Sequence, residues 1–205
     1  MPSLSNVILP DAFDYKNDFT IRGSAHCILL SQIDIGAFEN INKLPKNNPK
    51  ANVCDVGDLN SLHSTVSDIV FNNGSLNNAA FTVLDFCRFK ALKRIVIGDG
   101  CCTNVNEVKM AELNELESVV IGENSFTKFK NGDFIRPDPN RHFYLKNCPK
   151  LKSLKMGRYS FSDYTVIEIE NVDALEVIEM GDVNEASRIF YYASLELKSI
   201  LVQIE

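Results

Sequence analysis

Leu116-Glu-Ser-Val119-Val-Ile121-Gly122-Glu-Asn124-Ser-Phe126 is the stretch on which the fold turns. Its apolar residues stand at Leu116, Val119 and Ile121, a glycine follows, and a phenylalanine closes the run. The same arrangement recurs as Leu92-Lys-Arg-Ile95-Val-Ile97-Gly98, as Leu151-Lys-Ser-Leu154-Lys-Met156-Gly157 and as Leu175-Glu-Val-Ile178-Glu-Met180-Gly181. Eight residues ahead of each leucine a second apolar segment begins: Leu84-Asp-Phe86, Val108-Lys-Met110, Phe143-Tyr-Leu145 and Ile167-Glu-Ile169. Counting slots from Leu84, Val108, Phe143 and Ile167, slot 9 is leucine and slot 15 glycine in all four copies. A fifth, incomplete copy starts at Leu195-Glu-Leu197-Lys-Ser-Ile200.

Slots 1 and 3, and again slots 12 and 14, alternate apolar with polar, the period of a half-buried strand. Each copy is therefore expected to hold two short strands. The glycine at slot 15 is expected to take a turn conformation closed to other residues, and Phe126 and Phe161 to drop back into the core. The unit is 24 residues long. Slot 1 falls at 84, 108, 143, 167 and 195, so the second copy carries 11 extra residues and the fourth carries 4. The larger insertion lies within residues 127–142, whose Pro137, Pro139 and Asn131-Gly132 predict a surface loop.

A period of 20 to 50 residues with fixed apolar slots predicts a solenoid, in which each unit buries its core only against its neighbours. The Leu-x-x-Leu-x-Leu run resembles the leucine-rich-repeat consensus, and Asn124 occupies that consensus's asparagine slot. Gly100, Tyr159 and Val183 stand there in the other copies. The Gly-x-x-Ser-Phe tail and the second strand resemble the irregular, BspA-like class of these repeats. The resemblance implies a right-handed stack with a parallel sheet and few or short helices, α/β or mostly β, agreeing with the handedness rule for parallel crossovers. Residues 84–205 form its regular part. Residues 1–83 are read as degenerate copies of one continuous solenoid: Leu4-Ser-Asn-Val7-Ile-Leu9 with Phe13, Leu30-Ser-Gln-Ile33-Asp-Ile35-Gly36 with Phe38, and Val66-Ser-Asp-Ile69-Val-Phe71. Residues 42–60 are read as an irregular connection.

The chain has 205 residues, a net charge of −6 and no long Lys/Arg cluster. A nucleic-acid binder needs a basic face to neutralise phosphates, so none is expected as partner. No apolar run reaches the 18 residues of a membrane-spanning helix, and the first ten residues lack the basic start of a signal peptide. Six cysteines (27, 54, 87, 101, 102 and 148) have no zinc-type spacing. Cys148 shares its slot with Phe89, Leu113 and Val172, and Cys102 with Phe126 and Phe161, so both are expected in the core. Cys87 is expected outside. Cysteines in apolar slots argue for a reducing, cytoplasmic setting.

Strands stacked about 4.8 Å apart bring equal slots together, so charges are read down columns. Slot 10 runs Lys93, Glu117, Lys152, Glu176 and slot 4 runs Lys146, Glu170, Lys198. Both alternate in sign, which supports registration. Slots 11 and 13 do not alternate, and Arg94, Val96, Ser118, Val120, Ser153 and Lys155 are the candidate exposed binding face, because charge is consumed least there. The three histidines are scattered, and no metal-binding spacing, phosphate loop or nucleophile elbow occurs. A non-catalytic module that binds another protein is therefore expected, without cofactor or metal. The alternatives are a cell-surface adhesion or recognition repeat and, more weakly, an enzyme using the 127–142 loop with His142, Asp133 and Asp138. Ile200, Leu201, Val202 and Ile204 predict an unpaired apolar edge at the C-terminal end, with weak self-association through it.

Overall fold

The computed structural model describes residues 6–8, 19–21, 28–29, 50–130, 134–182 and 184–198. They form strands β1 (Asn6–Ile8), β2 (Phe19–Ile21), β3 (Ile28–Leu29), β4 (Lys50–Val53), β5 (Asp68–Phe71), β6 (Val83–Asp85), β7 (Arg94–Ile97), β8 (Glu107–Ala111), β9 (Ser118–Ile121), β10 (Asp138–Lys146), β11 (Ser153–Met156), β12 (Tyr164–Glu170), β13 (Val177–Met180) and β14 (Ser194–Lys198). One short helix, α1 (Val56–Ser61), is capped by the Asp55 carboxylate, which accepts from the Asp58 N–H at 2.9 Å. All pairings are parallel. From β5 onward the chain alternates between an eight-stranded sheet, ordered β3-β1-β13-β11-β9-β7-β5-β4, and a six-stranded sheet, ordered β2-β14-β12-β10-β8-β6.

The register matches the slots. Ile69, Ile95, Val119, Leu154 and Ile178 are successive partners in the larger sheet, as are Val108, Phe143, Ile167 and Leu195 in the smaller. Those side chains point between the sheets and are buried, as are the slot-9 leucines 92, 116, 151 and 175, all 0% exposed. Full burial of each is worth about 1.5–3 kcal/mol of transfer free energy. Phe126 stacks on Phe161 at 4.6 Å and 5°, and Phe161 meets Phe190 at 5.5 Å, filling the corner where the chain leaves the larger sheet. Leu76, Cys102, Phe126, Phe161 and Phe190 hold this buried corner with φ between 52° and 58°.

Several expectations change. The slot-15 glycines are not conserved in conformation: Gly181 has φ 72°, whereas Gly98, Gly122 and Gly157 are outside the left-handed region. Their role is close approach, since a Cβ on Gly157 would sit 2.5 Å from the Glu123 nitrogen. The left-handed turn position lies two residues on, at Gly100, Asn124 and Tyr159, which accounts for the asparagine of that slot. Within residues 42–60, read as irregular, stand β4 and all but the last residue of α1. The insertion is less of a surface loop than expected: Phe134 is 87% exposed, but Thr127, Ile135 and Arg141 are buried and Asp138 onward belongs to β10.

The N-terminal strands also depart from chain order. Val7 pairs with Ile178 as its slot predicts, but this puts β1 beyond β13, at the end of the sheet opposite β4. Leu29, not Ile33, is the residue in register with Val7. At the C-terminal end β14 is paired on both sides, by β12 and β2; Ile200, Leu201, Val202 and Ile204, on which the expected apolar edge falls, lie outside the described residues.

Candidate interaction surface

The outward side of the larger sheet assembles two columns. Asp68, Arg94, Ser118, Ser153 and Val177 are successive partners, and so are Val70, Val96, Val120, Lys155 and Glu179. All six predicted face residues are therefore brought together on neighbouring strands. Their exposure is uneven: Arg94, Ser118, Val120, Ser153 and Lys155 are half-buried, while Val96 is only 6% exposed and is not the exposed position expected. Lys155 is not free either. Its Nζ lies 2.8 Å from the Glu179 carboxylate, so charge is consumed at that end of the patch. Three valines, 70, 96 and 120, make an outward apolar column beside Arg94. The Arg94 Nε is buried there without a hydrogen-bond partner.

The outward side of the smaller sheet is polar. Lys146 pairs with Glu170 at 3.3 Å, and Glu170 with Lys198 at 3.4 Å, the slot-4 alternation read from sequence. Lys146 also hydrogen-bonds Glu168, which holds its ammonium above the usual value, and sits 5.3 Å from the Tyr144 ring centre. His142 is spent locally. Its Nε2 lies 3.0 Å from the Pro139 carbonyl, which can only accept, so Nε2 carries a proton, and its Nδ1 shares a hydrogen bond with the Tyr144 hydroxyl at 3.0 Å. Asp138 is engaged by Lys128 and by the Asn140 N–H. Burial raises its carboxyl pKa, but these contacts outweigh that and hold it below the usual value. Asp133 lies outside the described residues.

Beneath the insertion is a buried polar cluster that sequence reasoning missed. The Arg141 and Asp163 side chains are 0% exposed and meet at 2.8 Å. Arg141 donates further to the Phe126 carbonyl (3.2 Å) and the Thr103 carbonyl, with Nε 3.4 Å from Asn106 Oδ1. The Lys128 N–H donates to Asp163 at 3.2 Å, and the Tyr164 hydroxyl to the Val105 carbonyl at 2.6 Å. Burial pushes the Tyr164 phenol pKa well up. Every member is satisfied, so the cluster ties the insertion to the core and leaves no reactive group. Its only sequence signal was an arginine in phase with the apolar residues of β10.

The vicinal cysteines occupy two repeat positions. Cys101 stands where Ser125 and Ser160 stand in later copies. Those hydroxyls donate to Gly98 and Gly122 carbonyls at 2.7 Å, and the Cys101 thiol lies 3.0 Å from the Asn72 carbonyl. Cys102 takes the phenylalanine corner. Both are 0% exposed and burial raises both thiol pKa values, so neither has the electropositive setting of a reactive cysteine. Cys148 is buried as expected and Cys87 is half-buried. Among the described residues no group of three or more His, Cys, Asp or Glu side chains is placed to hold a metal ion, and no helix is long and apolar enough to cross a membrane. No family model, no curated protein and no solved structure matches the chain.

Proposed function

We propose that the chain is a leucine-rich-repeat-type solenoid of the irregular class that acts as a non-catalytic protein-interaction module, binding another protein on the outward side of its larger sheet. The observation that carries this reading is the Val70–Val96–Val120 column. A strand with one buried side normally alternates apolar with polar, and an apolar strip beside an arginine, with charge displaced to one end, matches the make-up of an interface core and rim. A buried donor without an acceptor costs about 1–3 kcal/mol, and a partner carbonyl or carboxylate reaching Arg94 would recover part of it. The paired charges of the smaller sheet have less to offer.

The test is comparative capture. The unaltered chain is immobilised beside Val120→Lys and Arg94→Glu on one face and Glu168→Lys on the other, and bound proteins are read by mass spectrometry. A partner held by the unaltered chain and by Glu168→Lys, and reduced about tenfold or more by Val120→Lys and Arg94→Glu, is expected, as for central interface residues. A partner lost only with Glu168→Lys would overturn the assignment of the face.

A further inference from the structure

Spacing in the N-terminal strands does not match their placement. Val7, Leu29 and Ala51 are the members of β1, β3 and β4 that stand in the column of Ile69 and Ile178. They are spaced 22 residues apart at both steps, 7 to 29 and 29 to 51. In the first step the chain advances by one strand of the larger sheet, from β1 to its neighbour β3, through β2 in the smaller sheet. In the second, the same number of residues separates opposite ends of the sheet, seven strand positions apart, or about 34 Å at about 4.8 Å per strand. The 20 residues between Leu29 and Lys50 can span that, since an extended chain reaches about 3.3–3.6 Å per residue. A step of one unit's length is nonetheless used to cross the whole molecule.

The two ends are complementary. One presents β13 and β14 and receives β1 and β2 in unbroken register, Asn6 to Ile8 on Val177 to Glu179 and Phe19 to Ile21 on Leu195 to Leu197. The other presents β4 and β6, the sheet edges at that end among the described residues, and a sheet edge carries a row of backbone groups ready to pair with another strand. If β1–β3 of one copy lie on β13 and β14 of another, β3 can pair with β4 of its own chain, and the 22-residue step becomes a local one.

We propose that the N-terminal strands β1–β3 are exchanged between copies of this chain, docking on the β13/β14 end of a neighbour and joining molecules head to tail. Donor and acceptor are different surfaces, so the contact is heterologous, and repeated it builds a ring where the rotation between copies closes and an open chain where it does not. Each junction buries two sheet edges that are open among the described residues of the single chain. Exchange competes with pairing inside one chain, whose linker supplies an effective concentration on the order of millimolar. It is therefore favoured when chains fold together at high concentration. The inference rests on strand register and spacing alone, independently of the outward face assigned above.

The experiment pairs cysteines across the contact, in full-length chains carrying Cys27→Ser, Cys54→Ser and Cys87→Ser. One preparation carries Val7→Cys and another, of distinguishable mass, Ile178→Cys; partner Cα atoms in adjacent strands lie within disulfide reach. Refolded together at about millimolar concentration and oxidised, the mixture is expected to give a mixed disulfide dimer that neither preparation gives alone. A chain with Leu29→Cys and Ala51→Cys is expected to close its own disulfide in the oligomer fraction. Light scattering on the unaltered chain is expected to show masses in multiples of 23.0 kDa that grow with refolding concentration. The proposal is overturned if Val7→Cys and Ile178→Cys join only when both are on one chain and every preparation stays monomeric. It is equally overturned if they join in neither arrangement.

Discussion

At Gly157 a single hydrogen separates a close strand crossing from a clash. A methyl there meets the backbone of Gly122 and Glu123 at 2.5 to 2.9 Å, and backbone cannot swing aside as a side chain can. Gly157→Ala is expected to cost about 1–3 kcal/mol, the range for overpacking, read as a lower urea midpoint with an unchanged slope. Its backbone is outside the left-handed region, so the loss reports contact and not backbone strain. The thiols give a second residue-scale expectation. Burial lifts Cys148 to about 11, with Cys101 and Cys102 raised as well. A raised folded value means that the unfolded chain ionises first. Stability is then level below the ordinary thiol value of about 8.5 and falls as pH climbs from there toward about 11. At pH 8 iodoacetamide should modify exposed Cys54 first and Cys87 more slowly, and reach Cys101, Cys102 and Cys148 only on unfolding. Early labelling of Cys101 in the native protein, followed by peptide mapping, would contradict the buried assignment.

Strands in this chain are short, and what fixes each is its two neighbours. Lys93, Glu117, Lys152 and Glu176 are joined down their column by backbone bonds, each N–H donating to the preceding residue's carbonyl at 2.8 to 2.9 Å, and all four side chains are exposed. Glu117→Lys places a positive charge between two others. A small drop in melting temperature is expected that shrinks in 1 M salt, where the screening length falls to about 3 Å; a drop indifferent to salt would mean that charge is not the cause. The insertion is held differently. Arg141→Ala strands the Asp163 carboxylate in the core, and removing one partner of a buried pair costs about 3–5 kcal/mol. The double variant Arg141→Met with Asp163→Leu should lose less than Arg141→Ala alone in denaturant melts, because no charge is left behind. Such elements were unequally legible. Alternation at slots 1, 3, 12 and 14 located the paired strands from β6 to β14, because a period of two has one meaning on a sheet with one buried side. β4 was missed because Lys50–Val53 lacks the leading leucine. The buried Arg141 was missed because a charged residue beside prolines reads as loop, and only the tertiary partner Asp163, 22 residues away, reverses that reading.

Across the whole molecule, local pattern told which residues pair but not at which end a copy is placed. Val7 sits in the column its sequence assigned, yet at the far end of the stack, since equal slots accept one another wherever an edge is open. The outward face was legible in position, with six residues on adjoining strands, and illegible in degree: Val96 is shielded and Lys155 is taken by Glu179, outcomes set by side-chain packing across copies. The excursion after Phe126 has a further consequence. Eleven extra residues enter there, and Phe143 still meets Val108 on one side and Ile167 on the other. The chain keeps count by its aromatic corners and not by residue number, so register is insulated from loop length. Such a frame can carry cargo. Grafting a Gly/Ser peptide of about eleven residues between Arg136 and Pro137, both exposed, roughly doubles the excursion, and each doubling of a loop costs only about 0.6 kcal/mol. Urea melts of the grafted chain should therefore fall within about 1 kcal/mol of the original, which would make this corner a port for epitopes or recognition peptides.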